Sequence, residues 1–272
     1  MLNTANKLRV QDAFARLVGR WFIHPGAFRL LTFHDVRDGH RVEEGAITAG
    51  QLAGFLAWLQ REQYATVTLG EALTNWPAIT ARRKTVALTF DDGLLNHWET
   101  VRPLLKQHGM NATFFVPTDF VAERRAKRAL PVAQGACEHW FMGWEELRSL
   151  VQDGFEIGSH GCGHRLIGSL ETPRARWEVR ESKRVLEEQL GRPVACLAYP
   201  FGQRGAFSPA SRALVFEAGY QGACTQMGST PNARSDPFEL PRLDVNGHDD
   251  PGRFERKMAG AYDLWYRLRP AA

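Results

Sequence analysis

Two short stretches carry the side chains that could do chemistry. In the first, Val86-Ala87-Leu88-Thr89-Phe90 runs into Asp91-Asp92-Gly93. An apolar, β-prone run of this length reads as a buried strand. Neighbouring carboxylates at its end are costly unless a cation or separate partners hold them apart. Taken alone, Asp-Asp-Gly is also ordinary turn chemistry. Further along, Phe155-Glu156-Ile157-Gly158-Ser159 leads into His160-Gly161-Cys162-Gly163-His164. His160 and His164 would share one face of a helix, but the glycines between them argue for a tight loop that turns both imidazoles to one point. Two imidazoles and a carboxylate are a standard ligand set for a catalytic zinc-like ion with one position left open to water.

Such residues need a scaffold that gathers distant strand ends, and the rest of the chain has that pattern. Residues 29–36 read as a strand ending in His34 and Asp35, and further β-prone runs cover 65–69, 112–116, 196–199, 222–225 and 240–245. Helical spacing runs through 51–63, 98–108, 144–153, 173–190, 208–218 and 251–266, several of these stopped by a following glycine. Residues 119–141 have no regular pattern and read as an insertion. Strands alternating with helices predict a parallel sheet with crossover helices, here a distorted α/β barrel, (β/α)-type, of about seven parallel strands. His34, Asp91, Asp92, His160, Tyr199 and Arg242 all fall at or just after strand ends. That rim is where a parallel barrel collects catalytic groups.

One domain is expected over residues 1–272, with a catalytic core at about 30–266 and a helical extension at 1–29. Hydrophobic content of 44% with 24% charged residues is ordinary globular composition. The net charge of +4 suits anionic glycans, phosphate-linked carriers or anionic membrane surfaces; no nucleic-acid partner is expected. Basic residues are scattered apart from Arg124-Arg125-Ala126-Lys127-Arg128, which reads as a solvated helix face. Cys137, Cys162, Cys196 and Cys224 are widely spaced with no C-x-x-C pair, so neither a disulfide framework nor a structural zinc site is expected. Cys162 could add a ligand, but its thiolate would fill the position that catalysis needs open. Residues 14–33 are apolar overall yet interrupted by Arg16, Arg20, His24, Pro25 and Arg29, unlike a signal-peptide core or a membrane span. Phe14, Leu17, Val18, Trp21 and Phe22 would line one face of an amphipathic helix. That helix could lie on a membrane, although packing on the protein's own core is the expected use. A cytoplasmic or peripheral-membrane location follows.

At the motif residues the sequence resembles the polysaccharide deacetylases of carbohydrate esterase family 4, in particular their exopolysaccharide-modifying branch. Thr89-Phe90-Asp91-Asp92-Gly93 matches the first family motif, and Ser159-His160-Gly161-Cys162-Gly163-His164 the second, with Gly161 where the family often has Ser or Thr. Ala198-Tyr199-Pro200-Phe201-Gly202 is similar to the third motif of that branch, and Leu240-Pro241-Arg242-Leu243 to the fourth. The resemblance implies Asp92, His160 and His164 as metal ligands, Asp91 as catalytic base, and the Phe201 backbone N–H as oxyanion donor. Many relatives carry an arginine in the third motif beside the catalytic aspartate; Ala198 stands there, and Arg242 is expected to take its place. The fifth-motif histidine has no clear counterpart, His248 being a poor match in a polar loop. By resemblance to the exopolysaccharide branch, His34 is the expected acid. Tyr199, Pro200 and Trp144 are expected to contact the sugar, with Trp140 and Phe141 as further rings near the rim, and the 119–141 insertion to wall the groove.

The resemblance therefore implies a metal-dependent carbohydrate N-deacetylase, a hydrolase of linear amide C–N bonds. Its divalent metal would be Zn2+, with Co2+ or Ni2+ able to occupy the same ligand set. The expected substrate is an N-acetylated amino sugar in a polysaccharide or oligosaccharide. The lack of an export signal favours the alternative, a lipid- or nucleotide-linked sugar or a small amide. A remoter alternative, an inactive glycan-binding domain, is opposed by the presence of Asp91, Asp92, His160 and His164.

Overall fold

The β-prone runs form strands whose side chains are withdrawn from water. Thr85–Phe90 is buried along its whole length, as expected of parallel strands covered on both faces. A computed structural model describes residues 4–18, 27–39, 45–121, 126–132 and 135–268. In chain order its elements are α1 (Thr4–Val18), β1 (Arg29–Phe33), β2 (Val36–Arg37), β3 (Ile47–Thr48), α2 (Ala49–Arg61), β4 (Ala65–Val67), α3 (Leu69–Thr74) and α4 (Trp76–Ala81). There follow β5 (Thr85–Phe90), α5 (Arg102–Gln107), β6 (Thr113–Val116), β7 (Ala126–Val132), β8 (Gly135–Phe141), α6 (Trp144–Gln152) and β9 (Glu156–Ser159). The remainder comprises α7 (Thr172–Leu190), β10 (Cys196–Ala198), α8 (Pro209–Glu217), β11 (Gly222–Cys224), β12 (Leu243–Asp244), α9 (Pro251–Ala259) and α10 (Asp263–Leu268).

Seven strands run parallel in the order β11-β10-β9-β6-β5-β1-β12. An isolated parallel bridge between Cys224 and Leu240 links the two ends of that order, so the expected distorted barrel of about seven strands is what the chain forms. β1 occupies one edge of β5, while β4 (against 85–87) and β6 (against 89–90) divide the other between them. Alternation along each strand separates two cores. Leu31, Phe33, Leu88, Phe90 and Phe114 face outward under the helices, meeting Leu56, Leu105, Leu147 and Val179. Leu30, Ala87, Phe115, Cys196, Ala198 and Cys224 face inward. Small residues predominate on this inner face, and the space they leave takes the fully buried Arg242.

Four expectations are corrected. The 119–141 stretch is not irregular: β7 and β8 form an antiparallel hairpin, joined to the rim where Met142 N–H donates to the Gly93 carbonyl. The basic run is not a helix face, since β7 starts at Ala126 and leaves Lys127 and Arg128 exposed; 124–125 lie outside the described residues. Residues 97–101 make a wide π-type turn before α5, where a single helix had been the expectation over 98–108. The closing helix is two, because Gly260 adopts φ 86° and ends α9. Of the proposed amphipathic face, Phe14 packs on Trp265, while Trp21 and Phe22 lie outside the described residues. α1 is pinned to the C-terminal helices where Arg253 reaches Gln11, and Arg256 and Tyr262 reach Asp12. Among the described residues no helix is long and apolar enough to cross a membrane.

Candidate active site

Both motifs begin where a strand stops. Past the end of β5 the Asp91 N–H still donates to the Phe33 carbonyl at 3.0 Å, and Asp92 then turns to φ 78°. Aspartate tolerates this left-handed step because its short side chain can bond locally. The step matters, since a continued strand would send adjacent carboxylates to opposite faces. Here Asp92 meets the loop that follows β9. That loop is not helical, and it carries a second left-handed residue, His164 at φ 51°.

The Nε2 atoms of His160 and His164 lie 3.4 and 3.3 Å from Asp92 Oδ1. Candidate ligand atoms of these three buried residues all fall within 4.8 Å of one another. His160 Nδ1 is 2.7 Å from the Ala198 carbonyl. A carbonyl only accepts, so Nδ1 bears the proton and the neutral ring keeps a bare lone pair at Nε2. Burial would lower the His160 pKa, but the Asp92 and Asp91 carboxylates outweigh it and raise it. Asp92 is held well below the usual carboxylate range: burial pushes it up, and the neighbouring His160 and His164 imidazoles more than reverse that. Asp92 is therefore ionised, and one carboxylate with two imidazoles gathered this closely fits a zinc-like ion. Cys162 is not in the set; its thiol faces the Glu178 carbonyl at 3.5 Å, and burial pushes it up to about 12.

Asp91 has different partners. Arg242 grips it with both ends of its fork, Nη1 at 2.7 Å from Oδ1 and Nη2 at 2.6 Å from Oδ2, the geometry of the strongest charge-assisted pairs. The guanidinium is fixed in turn by the Thr89 hydroxyl and the Thr225 carbonyl, each at 3.0 Å. Burial would raise the Asp91 pKa; Arg242, with His160 and His34 nearby, keeps it below the usual range. His34 sits at the mouth with its side chain 30% exposed, Nε2 3.9 Å from Asp91 and Nδ1 3.8 Å from Asp244. Its carbonyl accepts from Nε2 of the buried His97 at 2.8 Å. Two adjacent carboxylates thus have separate surroundings, one among imidazoles and one clamped by arginine.

A family model described as polysaccharide deacetylase matches residues 78–223, more than half of the chain. The chain belongs to the polysaccharide deacetylase family. The match spans the first three motifs, while His34 and Arg242 lie outside it. Among curated relatives, YxkH of Bacillus subtilis (strain 168) is 23% identical over 207 residues, 75% of this chain and 67% of that protein. Among solved structures, the Streptococcus pyogenes deacetylase PplD in complex with acetate superposes with a TM-score of 0.72 at 18% identity, covering 86% of this chain and 99% of that one. IcaB from Ammonifex degensii gives 0.69 at 22% identity, covering 87% and 97%. At such identities the likeness is one of fold.

Other residues expected from the deacetylase motifs fall in different places. Phe201 adopts φ 63°, and its ring lies 4.8 Å from that of His164. Pro200 is buried beside the loop that carries the two histidines. Tyr199 and Trp144 offer no face to a sugar: Tyr199 is fully buried, stacked on Phe207 with its hydroxyl donating to the Phe238 carbonyl, and Trp144 is 7% exposed in the outer core. Both belong to the same outer hydrophobic cluster rather than to the rim. Phe141 is buried too, whereas Trp140 on β8 is 54% exposed. His248 is exposed in its loop, where its N–H bonds Asn246. Three residues near His34 carry no motif: Asp244, His97 and Gln226, whose Nε2 lies 3.1 Å from His34 Nε2. Only Asp244, one residue beyond the fourth motif at a strand end, had a positional signal.

Proposed function

We propose that the protein is a metal-dependent N-deacetylase that removes acetyl groups from an amino sugar in a polysaccharide or oligosaccharide. The observation that carries the reading is the convergence of Asp92, His160 and His164 with a second, separately held carboxylate, Asp91, beside them. Asp92, His160 and His164 would hold the ion, which when bound supplies a Lewis acid that activates water at neutral pH. Asp91 accepts the proton of the attacking water, and Arg242 keeps that carboxylate ionised and aimed. The Phe201 N–H donates to the oxyanion as the acetyl carbon becomes tetrahedral; such a donor is worth on the order of a hundredfold in rate or more. His34, reachable from solvent beside Asp91, protonates the departing amine, which is too basic to leave as an anion. Trp140 is the exposed ring on the hairpin that offers a flat surface to a pyranose.

The test is acetate release from N-acetylated polymer, oligomer and carrier-linked sugars by metal-loaded protein, alongside Asp91→Asn. Turnover is expected to vanish in the variant while metal binding persists. Normal turnover by Asp91→Asn would remove the base from the mechanism, and no release from any acetylated sugar would refute the activity. Release confined to carrier-linked sugars would replace the polymer with the alternative substrate.

A further inference from the structure

We propose that Glu178, on α7, is a positioning residue for the metal site, its carboxylate setting the loop that presents His164. This rests on reading Asp92, His160 and His164 as the metal ligands. Glu178 is completely buried. Its Oε2 accepts from two consecutive backbone donors between the histidines, Cys162 N–H at 2.9 Å and Gly163 N–H at 3.0 Å. Its Oε1 takes Arg174 at 2.9 Å and faces Arg165 at 3.4 Å. Successive N–H groups converge on one anion only where the backbone curls into a nest. Gly161, at φ 72°, supplies the left-handed step that starts the curl. One turn along α7, Ser182 bonds the Ser159 hydroxyl at 2.7 Å, and that hydroxyl accepts the Gly161 N–H at 3.2 Å. One face of α7 therefore engages the backbone of two consecutive loop residues directly, and of Gly161 through the Ser159 hydroxyl.

The two histidines are not held alike. His160 has its ring fixed by the Ala198 carbonyl. His164 Nδ1 is buried with no hydrogen-bond partner among the described residues, so no bond at Nδ1 orients that ring as the Ala198 carbonyl orients His160. What orients it is the backbone, and at φ 51° that backbone is one a non-glycine residue keeps only when its surroundings over-determine it. Glu178 is that constraint, through the two N–H groups immediately before His164. Groups behind metal ligands typically govern affinity by ten- to a hundredfold.

Zn2+ affinity, measured by competition with a chromogenic chelator, and the visible spectrum of the Co2+ form test this on the full chain. Glu178→Gln and Glu178→Ala are expected to bind Zn2+ about ten- to a hundredfold more weakly, with an altered Co2+ spectrum and a cooperative melt like wild type. Arg174→Met, which removes a cation from Oε1 and leaves both N–H bonds, is expected to bind Zn2+ as wild type does. Unchanged affinity and spectrum in Glu178→Gln would overturn the assignment even if Glu178→Ala failed to fold. A loss in Arg174→Met equal to that in Glu178→Gln would overturn the role given to the N–H bonds. Should wild type bind Zn2+ no better than Asp92→Ala, the ligand set itself falls, and the role of Glu178 with it.

Discussion

Replacing Arg242 by Met keeps a buried chain of similar length and strips Asp91 of its bidentate partner. Both groups are essentially inaccessible, at 0% and 2% side-chain exposure. At an effective dielectric of about 20 the pair is worth roughly 4 kcal/mol of attraction. The loss has a ceiling, because an abandoned Asp91 can take up a proton instead of staying charged. From an ordinary pKa of about 3.9 that uptake costs about 4 kcal/mol at pH 7 and about 1.5 kcal/mol at pH 5. In wild type the Asp91 pKa is depressed, so its contribution is fully present above the ordinary carboxylate range and constant between those two pH values. In the variant it is raised, so the deficit is largest at neutral pH and fades as the solution is acidified. The lost bonds to Thr89 and Thr225 do not titrate and cancel between the two conditions. Urea unfolding of chelator-treated protein is therefore expected to give an Arg242→Met deficit larger at pH 7 than at pH 5 by about 2.5 kcal/mol. In the double variant with Asp91→Asn that difference should disappear. Equal deficits at both pH values, or a double variant with the same pH dependence as the single one, would refute the reasoning.

His34→Gln is expected to lower amide hydrolysis by about a hundredfold or more and to spare aryl acetates, whose leaving group needs no proton; equal losses on both would take the acid role from His34. Asp12 is held at about 2, burial pushing it up while Tyr262 and Arg256 pull it down. It thus stabilises the fold at neutral pH and ceases to as pH falls through about 2, and Asp12→Asn should cost about 1–2 kcal/mol at pH 7 but only about half that at pH 3, as read by chemical denaturation. A constant cost across that range would exclude the charge as the cause. Gly202→Ala places a Cβ 2.6 Å from the Gln226 backbone nitrogen at a φ of 55°, so a loss of at least about 1–2 kcal/mol is expected, with weaker catalysis because Phe201 shifts; full activity with an unchanged melt would show the third-motif loop to be slack.

The fold was legible because its strands are short, buried and interleaved with amphipathic helices, so each element could be read locally. The hairpin was not, since β7 and β8 show no clean alternation of apolar and polar residues and find their order by pairing with each other. Grouping one of the paired aspartates with His160 and His164 was readable from residue type and spacing, and the choice of Asp92 over Asp91 from the family resemblance. The clamp on Asp91 was less so, because Arg242 reaches it from 151 positions away in sequence, and only the near-closure of the barrel makes them neighbours. Tyr199 and Trp144 show the opposite limit. An aromatic residue beside a motif is read as a platform or as core with equal ease, and only packing decides.

The strand that delivers the paired aspartates is also the most heavily cross-linked one in the sheet, bonded to β1 along one edge and shared by β4 and β6 along the other. Opening it demands the simultaneous rupture of three ladders, so its amides should be among the last to exchange with deuterated solvent. His34 rides on the neighbouring strand, nearer the end of the order, where breathing is easier. The base is thereby anchored in the stiffest part of the molecule, and the proton donor at its more yielding margin.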